Sequence, residues 1–104
     1  MNEKKPKKSK KTEKKSLKPI EAKPENYFIL ITGVPLKNLK ELANSLETMN
    51  EWVFNHHVNE ARNDFSNWVK DILNEKELAE EMKLIKNMKD MEIKILKHLA
   101  TKYL

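Results

Sequence analysis

His56-His57 followed by Glu60 and Asp64 is the one stretch of this 104-residue chain whose residue types suggest metal chemistry. On an unbroken helix His56, Glu60 and Asp64 recur every fourth residue on one face, and imidazole with carboxylates can hold zinc or a similar ion. The polar step Asn59-Glu60 is where a helix is expected to break, however. The expected arrangement is then one histidine packed with its ring nitrogens hydrogen-bonded and the other solvated, so neither a metal nor a cofactor is assigned. Just beyond, Asn63, Asp64, Ser66 and Asn67 surround Phe65 and Trp68. Aromatics in a polar setting can stack on bases, but Phe65, Trp68, Val69 and Ile72 form one helical stripe, which is the pattern of a core. If nucleic acid binds the helices at all, Asn63 to Lys70 is the stretch expected to hold it. No Ser-His-Asp set and no isolated pair of apolar-flanked carboxylates stands out, so no catalytic residue is assigned and no enzymatic activity is expected. The single glycine, Gly33, argues against loops that cradle phosphates by close backbone approach, because these need several glycines.

The strongest functional signal is charge. Residues 1–24 hold ten lysines against Glu3, Glu13 and Glu21, a net of +7, whereas residues 25–104 hold 11 basic and 13 acidic side chains, a net of −2. Lysines at this density release condensed counterions from a phosphate backbone and bind polyanions with steep salt dependence. The arm has no aromatic residue and no arginine, hence little means of reading bases. Nucleic acid held without sequence preference is the expected partner, with Lys4, Lys5, Lys7, Lys8, Lys10, Lys11, Lys14 and Lys15 as candidate contacts. Three other readings of the arm are a solubilising, self-repelling extension, a nuclear-import address, and a membrane-surface arm. The last lacks a neighbouring apolar anchor, so no membrane partner is expected. If the arm only solubilises, the rest of the chain is an adaptor for a protein partner.

These residues need elements to position them. After the first methionine, residues 1–24 contain only Leu17, Ile20 and Ala22 as aliphatics, together with Pro6, Pro19 and Pro24. Such a stretch cannot offset the ~1–2 kcal/mol per residue of backbone ordering, so it is expected to be a disordered tail in front of a helical domain spanning 25–104. That length is near the small end for independent folding and calls for a single core. The absence of cysteine excludes disulfides, thiolate metal sites and cysteine nucleophiles, and fits a reducing cytosol. No apolar run approaches the ~18 residues of a membrane span, and the charged start leads into lysines rather than an apolar leader segment. A cytoplasmic location is expected.

Tyr27-Phe28-Ile29-Leu30-Ile31 suits a strand that ends at Thr32-Gly33-Val34-Pro35. With no visible partner strand, a lone extended segment lying across helices is expected. Leu36, Leu39, Leu42, Ala43, Leu46 and Met49 give the stripe of a helix over roughly 37–48. Thr48 or Asn50 caps a second helix, with Trp52, Val53 and His56 on its apolar side. Phe65, Trp68, Val69, Ile72 and Leu73 mark a third, starting near Asn63 or Asp64. Glu75 opens a fourth, carrying Leu78, Met82 and Ile85. Asn87 with Asp90 three residues on has the spacing of a capped start, so a last helix over about 88–103 buries Met91, Ile95, Leu99 and Tyr103; the alternative is one long helix over 75–103. The fold class is mainly α, a small single domain of four to five short helices with one short extended N-terminal segment.

Phe28 and Gly33, the Leu39-Lys40-Glu41-Leu42 helix, His57-Val58, the run Asn63-Asp64-Phe65-Ser66-Asn67-Trp68-Val69-Lys70-Asp71, and Leu78-Ala79-Glu80 carry a resemblance. From Tyr27 to the C-terminus the chain resembles a small prokaryotic domain, seen mostly in archaea, whose function is not established. The Asn-Asp-Phe-x-x-Trp core is the most specific part of the match. The resemblance implies a cytoplasmic prokaryotic setting, which weakens nuclear import, and it supplies no substrate. It also implies that His57, Asn63, Asp64 and Trp68 form one structural or binding cluster.

Overall fold

Asparagine side chains start four of the helices. Asn38 accepts from the Glu41 amide at 2.9 Å, Asn50 from Trp52 at 3.0 Å, Asn63 from Ser66 at 2.9 Å and Asn87 from Asp90 at 2.9 Å. Each bond satisfies an amide that a first turn leaves without a partner. The computed structural model describes residues 18–103. A turn of 3-10 helix at Pro24–Asn26 leads into strands β1 (Phe28–Ile29) and β2 (Pro35–Leu36). Helices α1 (Leu39–Thr48), α2 (Glu51–His57), α3 (Asp64–Asp71), α4 (Lys76–Met82) and α5 (Met88–Tyr103) follow. The mainly α class expected from the periodicity is the one observed.

The expected lone extended segment is in fact half of an antiparallel hairpin, with Phe28 opposite Leu36 and Ile29 opposite Pro35. The Leu30 amide donates to Val34 O at 2.9 Å, and Gly33, at φ +93°, supplies the left-handed residue of the turn. The partner strand escapes sequence reading because it is two residues long and contains a proline, which has no N–H to donate. Packing also begins ahead of residue 25: Ala22 is buried, and its amide donates to Lys37 O at 2.8 Å.

Two helix pairs build the core. α1 lies along α5, where Leu39, Leu42, Ala43 and Leu46 of the first and Met91 and Ile95 of the second are buried, and α3 lies along α4, where Phe65 and Val69 and Leu78, Ala79 and Met82 are buried. The single long helix over 75–103 is not formed, because the chain turns between Met82 and Met88, where the Leu84 and Ile85 amides reach Glu81 O and Met82 O. Leu99 and Tyr103 of α5 are half-buried rather than buried. The inward face of α2 is Val53, Phe54 and His57, not the expected Trp52, Val53 and His56; Trp52 is 58% exposed. With the start fixed at Asn50, Phe54 meets Phe65 at 6.2 Å between ring centroids. At about 100° per residue this turns Trp52 and His56 outward. Among the described residues no helix is long and apolar enough to cross a membrane.

Candidate functional site

α2 ends at His57, so His56, Glu60 and Asp64 never share a helical face. Asn59 makes the stop: its Nδ2 donates to Asn55 O and His56 O at 3.0 and 3.2 Å, while its Oδ1 accepts from the Ala61 amide at 2.9 Å. Arg62 then folds back, donating to His56 O at 2.8 Å, with its guanidinium 3.3 Å from the His56 ring Nε2. Among the described residues no three His, Cys, Asp or Glu side chains are grouped to hold a metal ion.

The turn instead brings His57 onto Asp64. The buried His57 ring accepts the Ile31 amide at Nε2 over 3.1 Å. A backbone N–H can only donate, so Nδ1 carries the ring hydrogen and donates to Asp64 Oδ2 at 3.0 Å. Asp64 also faces Arg62 Nε at 3.3 Å. The imidazole packs in a triangle with Phe28 and Phe65, with centroids at 5.0 and 5.2 Å from it and 5.0 Å from each other. Both ring nitrogens are engaged and the ring is buried, leaving no lone pair to take a proton from a substrate. Chemically the dyad is a tie between the hairpin turn, α2 and α3.

Asn63 and Trp68 join the same assembly. While Asn63 Oδ1 caps α3, its Nδ2 donates to Met82 O at 3.1 Å, and Ser66 Oγ donates to Ala79 O at 2.7 Å, so the cap and one polar side chain of α3 fasten α4. Trp68 Nε1 donates to Asn26 O at 2.8 Å, and its ring meets Phe28 at 5.7 Å. Phe28 is thus the hub on which His57, Phe65 and Trp68 converge. Lys4, Lys5, Lys7, Lys8, Lys10, Lys11, Lys14 and Lys15 lie outside the described residues.

A second polar cluster went unseen in the sequence. The buried Glu75 carboxylate receives His98 Nε2 at 3.0 Å and Lys102 Nζ at 2.9 Å on Oε1, and the Tyr103 hydroxyl on Oε2. Burial pushes the Glu75 carboxyl up, but the bonds from Tyr103, Lys102 and His98 together outweigh it and hold the group below its ordinary value. The bond to Glu75 raises Lys102 despite its partial desolvation. Tyr103 is raised by burial and by donating to the carboxylate. The partners stand 23 to 28 residues from Glu75, beyond any local motif. The one available signal was that His98, Lys102 and Tyr103 lie on one edge of α5 at i, i+4 and i+5.

A short hairpin and five helices, fastened by buried polar side chains, define a small mainly α domain. The chain belongs to a family of unknown function, DUF5752, which matches residues 17–104. No curated protein and no solved structure matches it.

Proposed function

We propose that this protein is a non-enzymatic accessory factor that holds RNA or DNA through the phosphate backbone by its lysine-dense N-terminal arm, while the helical domain docks or positions the complex. The division of charge carries this reading. Residues 1–17 hold eight lysines and two glutamates, a net of +6, whereas residues 18–103 hold 13 basic and 14 acidic side chains, a net of −1. A polyanion is attracted by the first and gains nothing from the net charge of the second. The His57-Val58 and Asn63-Asp64-Phe65-x-x-Trp68 motif favours a prokaryotic, mostly archaeal lineage, in which the protein works in the cytoplasm.

The test is binding to mixed-sequence RNA or DNA as salt is varied. With about five to seven lysines on phosphates, log K against log [salt] falls with a slope near −0.9 per contact on duplex DNA and −0.7 on single strands. Replacing Lys4, Lys7, Lys10 and Lys14 by glutamine flattens the slope and leaves the melting temperature of the domain unchanged. A full-length protein that binds no nucleic acid at low salt sinks the proposal. A second reading, an adaptor for a protein partner, is favoured by the exposed apolar side chains Ile29, Ile31 and Val34 around the hairpin. Partner capture in cells that persists after those four arm substitutions, without nucleic acid, supports it.

A further inference from the structure

The near-zero net charge of residues 18–103 conceals a separation. Residues 18–82 carry seven basic and twelve acidic side chains, a net of −5, while residues 83–103 carry six lysines and two acids, a net of +4. One of those two acids, Glu92, is buried and faces Lys89 Nζ at 3.5 Å, so it offsets a lysine outside the edge that runs from Lys94 to Thr101. Helix geometry concentrates the charge further. Lys94, Lys97, His98 and Thr101 recur at intervals of three and four and share one edge of α5. They line an open cleft of about 220 Å³ against Glu81 of α4.

His98 also lines the neighbouring cleft of about 290 Å³, with Lys102 and with Lys76 and Glu77 of α4. The two clefts share His98 and lie side by side in the groove between α4 and α5. Two of its three carboxylates are occupied: three α5 side chains surround Glu75, and Lys94 sits 3.4 Å from Glu81, while Glu77 lines the cleft away from Lys97. Lys97 and Thr101 are exposed at its outer lip. From Lys94 to Thr101 the helix rises ~10 Å, enough to face two or three phosphates of one strand. Asn63 to Lys70, the stretch the sequence favoured for binding on the helices, does not offer such a face, because Phe65, Ser66 and Trp68 are buried and Asn63 is spent on a cap and on Met82 O.

We propose that the Lys94, Lys97 and Thr101 edge of the α4–α5 groove is a second contact for the nucleic-acid phosphate backbone. It rests on the reading of the protein as a nucleic-acid binder but not on the arm being the site. Two weak contacts on one chain reinforce each other, since the second forms at the effective concentration set by the first.

Four full-length proteins decide the matter, each titrated with a short mixed-sequence DNA duplex over a salt series: the parent, the fourfold arm variant, Lys94→Gln/Lys97→Gln, and Lys40→Gln/Lys70→Gln. The last removes the same charge from exposed positions on α1 and α3. The groove variant is expected to lose about 0.9 of slope per lysine, ~1.8 in all, equally for any sequence, with the control pair unchanged. Lys97→Gln alone should lose about half of that, which covers the case in which freeing Glu81 disturbs folding. A groove variant with the slope of the parent, or a control pair that flattens it equally, overturns the proposal. If only the arm variant loses binding, the arm stands and the groove falls. If only the groove variant loses it, the converse holds. A parent that does not bind removes both.

Discussion

Glu75 is the residue on which pH should act most directly. Its pKa is lowered in the folded state, so the unfolded chain binds the extra proton, and the stability it contributes is present above the unfolded value of about 4.3. That contribution is lost as pH falls through the lower folded value. Lys102 and Tyr103 have the opposite sign: both are raised, so their contribution is present below their unfolded values near 10 and lost as pH rises through the folded ones. Melting temperature against pH is therefore expected to show a plateau between these flanks. Glu75→Ala should lower stability by about 2 kcal/mol at neutral pH, the usual scale for bonds to a charged group, and reduce the steepness of the acid flank. A variant that melts as the parent does at every pH contradicts the role given to this carboxylate. For Trp68→Ala, loss of a buried aromatic costs about 3–5 kcal/mol, enough to unfold much of so small a domain. Trp68→Phe, which keeps the ring packing and drops the bond to Asn26 O, should cost much less. Chemical denaturation measures both.

At the scale of elements, the helices were legible because their apolar residues recur at three and four, and the starts of α2, α3 and α5 because Asn50, Asn63 and Asn87 stand before them. The inward side of α2 was not. A shift of one residue in a seven-residue helix exchanges His56 for His57, and that choice is made by Phe54 against Phe65 and by the Ile31 amide, both distant in sequence. The hairpin failed for a related reason, since a two-residue strand has too few side chains to show alternation. Caps offer the sharpest test at this scale. Asn50→Ala removes an exposed cap and should cost about 1 kcal/mol. Asn63→Ala removes a cap and also the bond to Met82 O, which keeps only the Ile85 amide, so its cost should be larger, while Asn63→Asp keeps the cap and loses only the second bond. Equal melting temperatures for Asn50→Ala and Asn63→Ala would show that Asn63 does not fasten α4. At Asn74, whose φ is +59°, glycine should be tolerated and alanine should cost about 1 kcal/mol.

Over the whole molecule, charge asymmetry is visible in the sequence, but its second half is not. The split between the N-terminal arm and the rest can be counted along the chain, whereas the groove depends on which lysines of α5 share an edge with α4. The domain boundary shows the same limit. Pro24 suggests a start at residue 25, but the backbone of Ala22 is tied to Lys37 O, and proline punctuation cannot reveal a bond across 15 residues. Amide exchange should find the Ala22 N–H protected to a degree comparable with the hairpin. Exchange at the rate of an open chain would move the boundary back to residue 25.

The pairing of α1 with α5 has a kinetic consequence. The first and last helices lie against each other although some forty residues of chain separate them, so the central contact of the domain is also among its most non-local. Folding rates fall as mean contact separation rises, because loop closure must precede the reward of packing. This protein should therefore fold more slowly than a helical bundle of its size built from sequential neighbours. On the ribosome, the apolar faces of α1 would wait for α5 to emerge before they are covered, while α3 and α4 could pair at once. Stopped-flow refolding with Leu42→Ala and Ala79→Gly should separate the two pairs. The substitution in the early α3–α4 pair slows folding, and the one in the late α1–α5 pair mainly speeds unfolding.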